Sequence, residues 1–139
     1  GGAYLIGTIL AFLTIIISER NIGISPFYFV LLVFYPIYET TRSFFRRIFF
    51  DKKLGFNPDK KHLHSLTYYF FLKKHKFNNP NALSSFVILC FQFVYSIFGC
   101  YFFNDQTFLI MGTILFVLNY ELIYFLLKKK LFKIQISSY

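Results

Sequence analysis

Acidic residues are scarce in this sequence: six Asp and Glu stand against fifteen Lys and Arg, for a net charge of +9. In a soluble protein that imbalance would point to nucleic acid. No recognition motif for DNA or RNA is present, so no nucleic acid is expected as a partner. In a membrane protein the same excess reports loop orientation and anionic lipid headgroups. Cysteine is nearly absent as well. Cys90 and Cys100 fall in one apolar run, and the helix between them would span about 15 Å, beyond the reach of a disulfide. They read as buried thiols acting as small apolar side chains. The N-terminus lacks a Met, a basic region and a cleavage site, so Gly1 does not begin a signal peptide. "GGAYLIG" runs straight into apolar residues, as expected of a piece of a longer protein. There is no internal repeat.

What the chain has in abundance is apolar surface. Of its residues 56% are hydrophobic and 24% aromatic, and the mean hydropathy is +0.53. A soluble domain holds about 45–50% apolar residues even when glycine is counted. Apolar runs of roughly 15–22 residues recur, close to what a bilayer crossing needs. The expected fold class is all-α, a polytopic membrane helix bundle forming one transmembrane domain over 1–139. Its candidate spans are 2–17, 24–39, 82–103 and 107–127, with a polar loop at 40–80 and a tail at 128–139. The first two spans are short for full crossings.

Charge orients the bundle. The 40–80 loop holds ten basic residues and the tail four, so 14 of the 15 fall on one side of a four-span arrangement, with Arg20 the exception. Positive residues stay cytosolic, which makes the loop and the tail cytosolic. Within the loop, "RSFFRRIFF" as a helix puts Phe44, Phe45, Ile48 and Phe49 on one arc and Arg42, Arg46 and Arg47 on the other, a pattern suited to the headgroup layer. Asn57 with Pro58, and Gly55, break it. A second helix is expected around 63–74, with Leu63, Leu66 and Phe70 on one side.

The chemical candidates cluster here. "FNPDKKHLHS" packs His62, His64, Asp59 and two lysines into ten residues. The two histidines share a side only if the chain is extended; on a helix they diverge by about 200°. They read either as solvated loop residues or as groups that ligate metal, donate to phosphate or relay protons, and two histidines alone do not make a metal site. Asp59 after Pro58 is equally a turn or cap residue. Arg46 and Arg47 are either topological or a phosphate clamp. Glu39 ends the second span and is either a functional carboxylate or the partner of Arg42 at i,i+3. Glu121, inside the fourth span, reads as snorkelling or paired with a tail lysine. Pro26 and Pro36 are candidates for kinking the second span.

The order of these features resembles the C-terminal part of the polyprenyl-phosphate N-acetylhexosamine-1-phosphate transferases. That family includes the enzymes that start enterobacterial common antigen and O-antigen lipid intermediates, and the phospho-MurNAc-pentapeptide translocase. "GGAYLIG" is similar to the residues just after the Asp of the family's Phe-x-Gly-Asp-x-Gly-[Ser/Ala] motif, with Gly2 and Ala3 as its closing residues. Pro36 and Glu39 match a Pro-x-x-[Asp/Glu] pattern at the end of a span, and Arg46 with Arg47 match an Arg-Arg helix. "PDKKHLHS" resembles Pro-Asp-x-x-His-[Ile/Leu]-His-His, with Ser65 in place of the last histidine, unlike the translocase's histidine triplet. The resemblance covers the whole chain in order.

It implies a magnesium-dependent reaction at the cytosolic face of a bacterial plasma membrane, in cell-envelope glycan synthesis. The phosphate of polyprenyl phosphate attacks the β-phosphate of a UDP-N-acetylhexosamine, and UMP leaves. By resemblance, His62 and His64 would contact the diphosphate or sugar, Asp59 would order the loop, and Arg46 and Arg47 would attract phosphate. Glu39 would be a carboxylate either on the substrate side or behind the groups that touch substrate, and Gly1 and Gly2 would border the substrate. The carboxylates that hold Mg2+ in the family would precede Gly1, so the 139-residue chain alone is expected to be inactive. The competing expectations are a non-enzymatic multi-span protein whose basic loop binds anionic membrane lipid or a partner, and a piece of a transporter.

Overall fold

The computed structural model describes residues 2–51, 61–73 and 78–136, and their side chains except at 3, 4, 50, 51 and 132–136. The described residues form helices joined by short links, with no strand among them. In chain order the helices are α1 (Gly2–Arg20), α2 (Pro26–Leu32), α3 (Phe34–Arg46), α4 (Leu63–Lys73), α5 (Pro80–Tyr101) and α6 (Gln106–Ile136); a π-helical turn, Arg47–Asp51, prolongs α3. The fold is therefore all-α, as the composition leads one to expect.

Local chemistry sets the starts. α2 and α5 each open with a proline in the first turn, where the missing N–H has no intrahelical partner to lose. α6 opens on Asp105, whose Oδ1 accepts the N–H groups of Thr107 (2.9 Å) and Phe108 (3.3 Å), the N-cap arrangement. The link before α2 meets the link before α6, where the Ser25 N–H donates to the Phe103 carbonyl at 2.9 Å. Both links thus lie at one end of the bundle. α4, which packs on α5 and α6, lies towards the other.

The expected span at 24–39 is broken at Val33 into α2 and α3. Pro36 explains the break: it has no N–H for the Leu32 carbonyl, and its ring crowds that oxygen. The neighbouring Tyr35 N–H and Leu31 carbonyl have also parted. Gln92 of α5 fills the gap. Its Oε1 accepts the Tyr35 N–H at 3.1 Å, and its Nε2 donates to the Leu31 and Leu32 carbonyls at 2.9 and 3.0 Å. One side-chain amide replaces the missing rungs, which in an apolar surrounding no water could do.

The core is aromatic. Phe116 of α6 is fully buried, with the rings of Phe91 (4.8 Å), Tyr95 (4.9 Å) and Phe34 (5.1 Å) around it, within the range where ring pairs add to simple burial. Small residues let the helices close in: a Cβ at Gly112 would stand 2.6 Å from the Phe98 ring.

Two helical segments, Pro80–Tyr101 and Gln106–Leu131, are long and apolar enough to cross a membrane. Only 22% and 28% of their apolar windows is buried, so most of that surface faces outward, whereas the core helix of a soluble protein hides it. The same inversion holds at the end of α3. Phe44, Phe45, Ile48 and Phe49 are exposed, while Arg42, Arg46 and Arg47 are half-buried. Cys90 and Cys100 are exposed too, against the expectation of burial. On a helix with an apolar outer face, a thiol is as well accommodated outside as inside.

Candidate functional site: the end of the bundle around α3

α3 turns three faces to three surroundings, as 3.6 residues per turn requires. Glu39 and Ser43, one turn apart, face the start of α4. Tyr38, Arg42 and Arg46, each one turn from the next, face α6 and the residues before α4. Pro36, Ile37 and Thr40 face α1 across an apolar groove of about 620 Å³ that Leu10, Ala11 and Thr14 close from the other side.

On the first face Glu39 is fully used. Its Oε1 accepts the Leu63 N–H and pairs with His62 Nδ1, both at 3.0 Å; its Oε2 accepts the Tyr120 hydroxyl at 2.5 Å. The Leu63 N–H is the first of α4, one of the donors a helix start leaves without an internal acceptor, and a carboxylate there also faces the positive end of the helix. Since an ionised carboxylate only accepts, the contact has His62 Nδ1 donating to Glu39. Ser43 Oγ lies 3.1 Å from the same Nδ1.

On the second face Arg42 donates from Nε and Nη2 to the two oxygens of Glu121, the Nη2 contact at 3.0 Å. The Tyr38 hydroxyl donates to Glu121 Oε1 at 2.9 Å. The guanidinium carbon lies 3.6 Å from the centre of the Tyr124 ring, a cation–π contact. Around this pair opens a cleft of about 870 Å³, whose ionisable linings are Arg42, Arg46, Lys61, Lys128 and Glu121, with Phe45 and Leu66 among its apolar walls.

The residues singled out in the sequence fall in several places. Glu39 and His62 meet directly. His64 does not join them: it sits in the first turn of α4, and its Nε2 lies 3.2 Å from Asn81 Oδ1 at the start of α5, beside a hollow of about 340 Å³ that Ser65, Tyr68 and Tyr69 also line. The i,i+2 histidines therefore part, because α4 begins between them. Arg46 lines the cleft, and Arg47 follows the last residue of α3 as its C-cap. Gly2 is exposed at the start of α1, where an added Cβ would meet nothing within 4 Å. Asp59 and Gly1 lie outside the described residues. Glu39 is not paired with Arg42, nor Glu121 with a tail lysine: the carboxylates take partners from other helices. Sequence reasoning passed over Ser43, Tyr120 and Tyr38. Of these only Ser43 carried a signal, its i,i+4 spacing from Glu39.

A magnesium site would need several carboxylate or water oxygens. Among the described residues no three His, Cys, Asp or Glu converge, and both Glu39 oxygens already accept hydrogen bonds. These residues do not fit the ion. No family model matches the chain, and neither a curated protein nor a solved structure matches it.

Proposed function

We propose that this chain is part of a membrane transferase that moves N-acetylhexosamine-1-phosphate from a UDP-sugar onto polyprenyl phosphate, releasing UMP. The observation that carries the reading is the 3.0 Å contact between Glu39 and His62. The family resemblance assigns these residues to separate motifs, and they form one hydrogen-bonded knot at the end of the bundle.

In this reading the chain crosses the plasma membrane of a bacterium four times, through α1, the broken α2–α3 unit, α5 and α6. The 40–80 loop and the tail are cytosolic. The outward apolar faces of α5 and α6 support it, as does the hydrogen bond that joins the two links at the opposite end. The apolar groove between α1 and α3 offers a bed for an isoprenoid chain.

The reaction forms a bond from a carrier phosphate oxygen to the β-phosphorus of the UDP-sugar and breaks the bond from that phosphorus to the bridging oxygen, which leaves with UMP. Magnesium, which the resemblance implies, would offset the crowded phosphate charge, and residues other than those described would have to hold it. His62 contributes through Nε2. Glu39 holds the Nδ1 proton and steadies the ring as Nε2 takes the proton of the attacking carrier phosphate, as a carboxylate does behind a catalytic histidine. The imidazolium then donates from Nε2 to a phosphoryl oxygen as charge develops there.

The test is UMP release and formation of lipid-linked sugar by the full-length protein in its own membranes. We expect His62→Gln to lower turnover about 10²-fold or more while insertion is unchanged. Full activity in that variant refutes the role of His62, and a wild-type protein that releases no UMP from UDP-N-acetylhexosamines leaves lipid or partner binding as the reading.

A further inference from the structure

We infer that Tyr120 is a positioning residue for His62: its hydroxyl, acting through Glu39, holds the imidazole in the orientation that transfer requires. The inference rests on the transferase reading above, in which Tyr120 has no part. Three elements contribute one group each, the hydroxyl from α6, the carboxylate from α3 and the imidazole from the residue just before α4. Tyr120 and Glu39 are 81 positions apart in the chain, and no motif of the sequence links them.

The three groups form a row that runs from the interior outward. Tyr120 is fully buried, the Glu39 side chain is 13% exposed and that of His62 34%. A knot that served packing alone would gain nothing from an open end. Here the hydroxyl and the carboxylate are shielded while the imidazole keeps an open side. A side chain that acts on another molecule needs this kind of packed, hydrogen-bonded support behind it.

The hydroxyl has a specific task within the row. Oε1 of Glu39 serves two donors, the Leu63 N–H and His62 Nδ1. With that oxygen alone engaged, the carboxylate is restrained at one point about a terminal torsion that is broad. The Tyr120 hydroxyl, 2.5 Å from Oε2, takes the other oxygen and fixes the plane. Its own ring is held from several sides. The Tyr38 ring lies edge-on at 4.9 Å, and those of Tyr35 and Tyr124 are each at 6.4 Å. A tyrosine has only two side-chain torsions, so packing the ring sets where the oxygen stands.

The experiment uses the full-length protein and two readouts. The first is the proton resonance of His62 Nδ1–H in protein labelled with 15N at histidine, assigned by its loss in His62→Gln. Tyr120→Phe keeps the ring and should broaden this resonance through faster exchange with water. Tyr95→Phe should leave it unchanged, since that buried hydroxyl meets Asn119 rather than Glu39. The second readout is UMP release in membranes. Tyr120→Phe should lower kcat roughly tenfold, the worth of one hydrogen bond to a charged group, with KM for the UDP-sugar unchanged. In a Glu39→Ala background the same change should lower kcat no further, because its effect passes through the missing carboxylate. An Nδ1 resonance unaltered by Tyr120→Phe overturns the inference, as does an equal loss of kcat with and without Glu39. A wild-type protein that releases no UMP, while the resonance still responds, refutes the transfer reading and leaves the hold of Tyr120 on His62 standing.

Discussion

Arg42 and Glu121 stand 79 positions apart and form a two-pronged ion pair, with the guanidinium lying at the same time over the ring of Tyr124. The planar fork and the ring plane together admit one orientation of the side chain. Because Arg42 is on α3 and its partners are on α6, the pair fixes how α3 is turned about its own axis. Glu39 is thereby held facing the start of α4.

Arg42→Lys keeps the charge and loses both the fork and the stacking. It should cost about 1–2 kcal/mol of stability in detergent, between the values for surface and buried pairs, since the Glu121 side chain is 43% exposed. Adding Glu121→Gln should cost little more, because the two changes remove one interaction. A lysine variant as stable as wild type would show that the pair is an ordinary surface contact.

Gln92→Leu leaves the Tyr35 N–H and the Leu31 and Leu32 carbonyls without their side-chain partner. Unmet buried polar groups cost about 1–3 kcal/mol each, and partial closure of the break should hold the loss to about 2–3 kcal/mol, read from denaturation midpoints. Pro36→Ala restores the N–H that the Leu32 carbonyl lacks. In that background Gln92→Leu should be distinctly milder; equal losses in both backgrounds would mean that Pro36 is not the cause of the break.

Glu39→Ala removes the acceptor for the first N–H of α4. Amide hydrogen exchange at Leu63 should quicken by about tenfold, corresponding to a lost charge-assisted bond of about 1.5 kcal/mol, while exchange in the middle of α5 should not move. Glu39→Gln retains an acceptor and should fall between the two. Unaltered exchange at Leu63 would remove the capping role from Glu39.

Gly112→Val drives a side chain into the Phe98 ring, whose nearest carbon would lie 2.6 Å from the new Cβ. Overpacking of this kind costs about 1–3 kcal/mol. Phe98→Leu, which shortens the obstructing side chain, should recover part of the loss when the two are combined, as read by thermal unfolding of each variant.

Helix type and the long apolar runs of α5 and α6 were legible because hydropathy is a property of neighbours along the chain. The expected runs 82–103 and 107–127 overlap the observed Pro80–Tyr101 and Gln106–Ile136, although α6 continues through its lysines, which favour helix. Partners across the bundle were not legible. The break at Val33 follows from Pro36, which the sequence displays, but the partner that fills it, Gln92, and the partner of Arg42, Glu121, are residues that only folding brings near. Nearest charge in sequence suggested Glu39 for Arg42, yet the two side chains leave α3 on adjoining faces. The divergence of His62 and His64 turned on a boundary, the start of α4, and a boundary shift of one residue changes which way a side chain points.

The three faces of α3 also determine what kind of change in length the chain tolerates. Each residue added to or removed from a helix turns everything beyond it by about 100°. A single insertion between Pro36 and Glu39 would carry Glu39 from α4 to the neighbouring face and send Arg42 away from Glu121, even with every side chain retained. Within these few residues spacing outranks identity: α3 works in one reading frame.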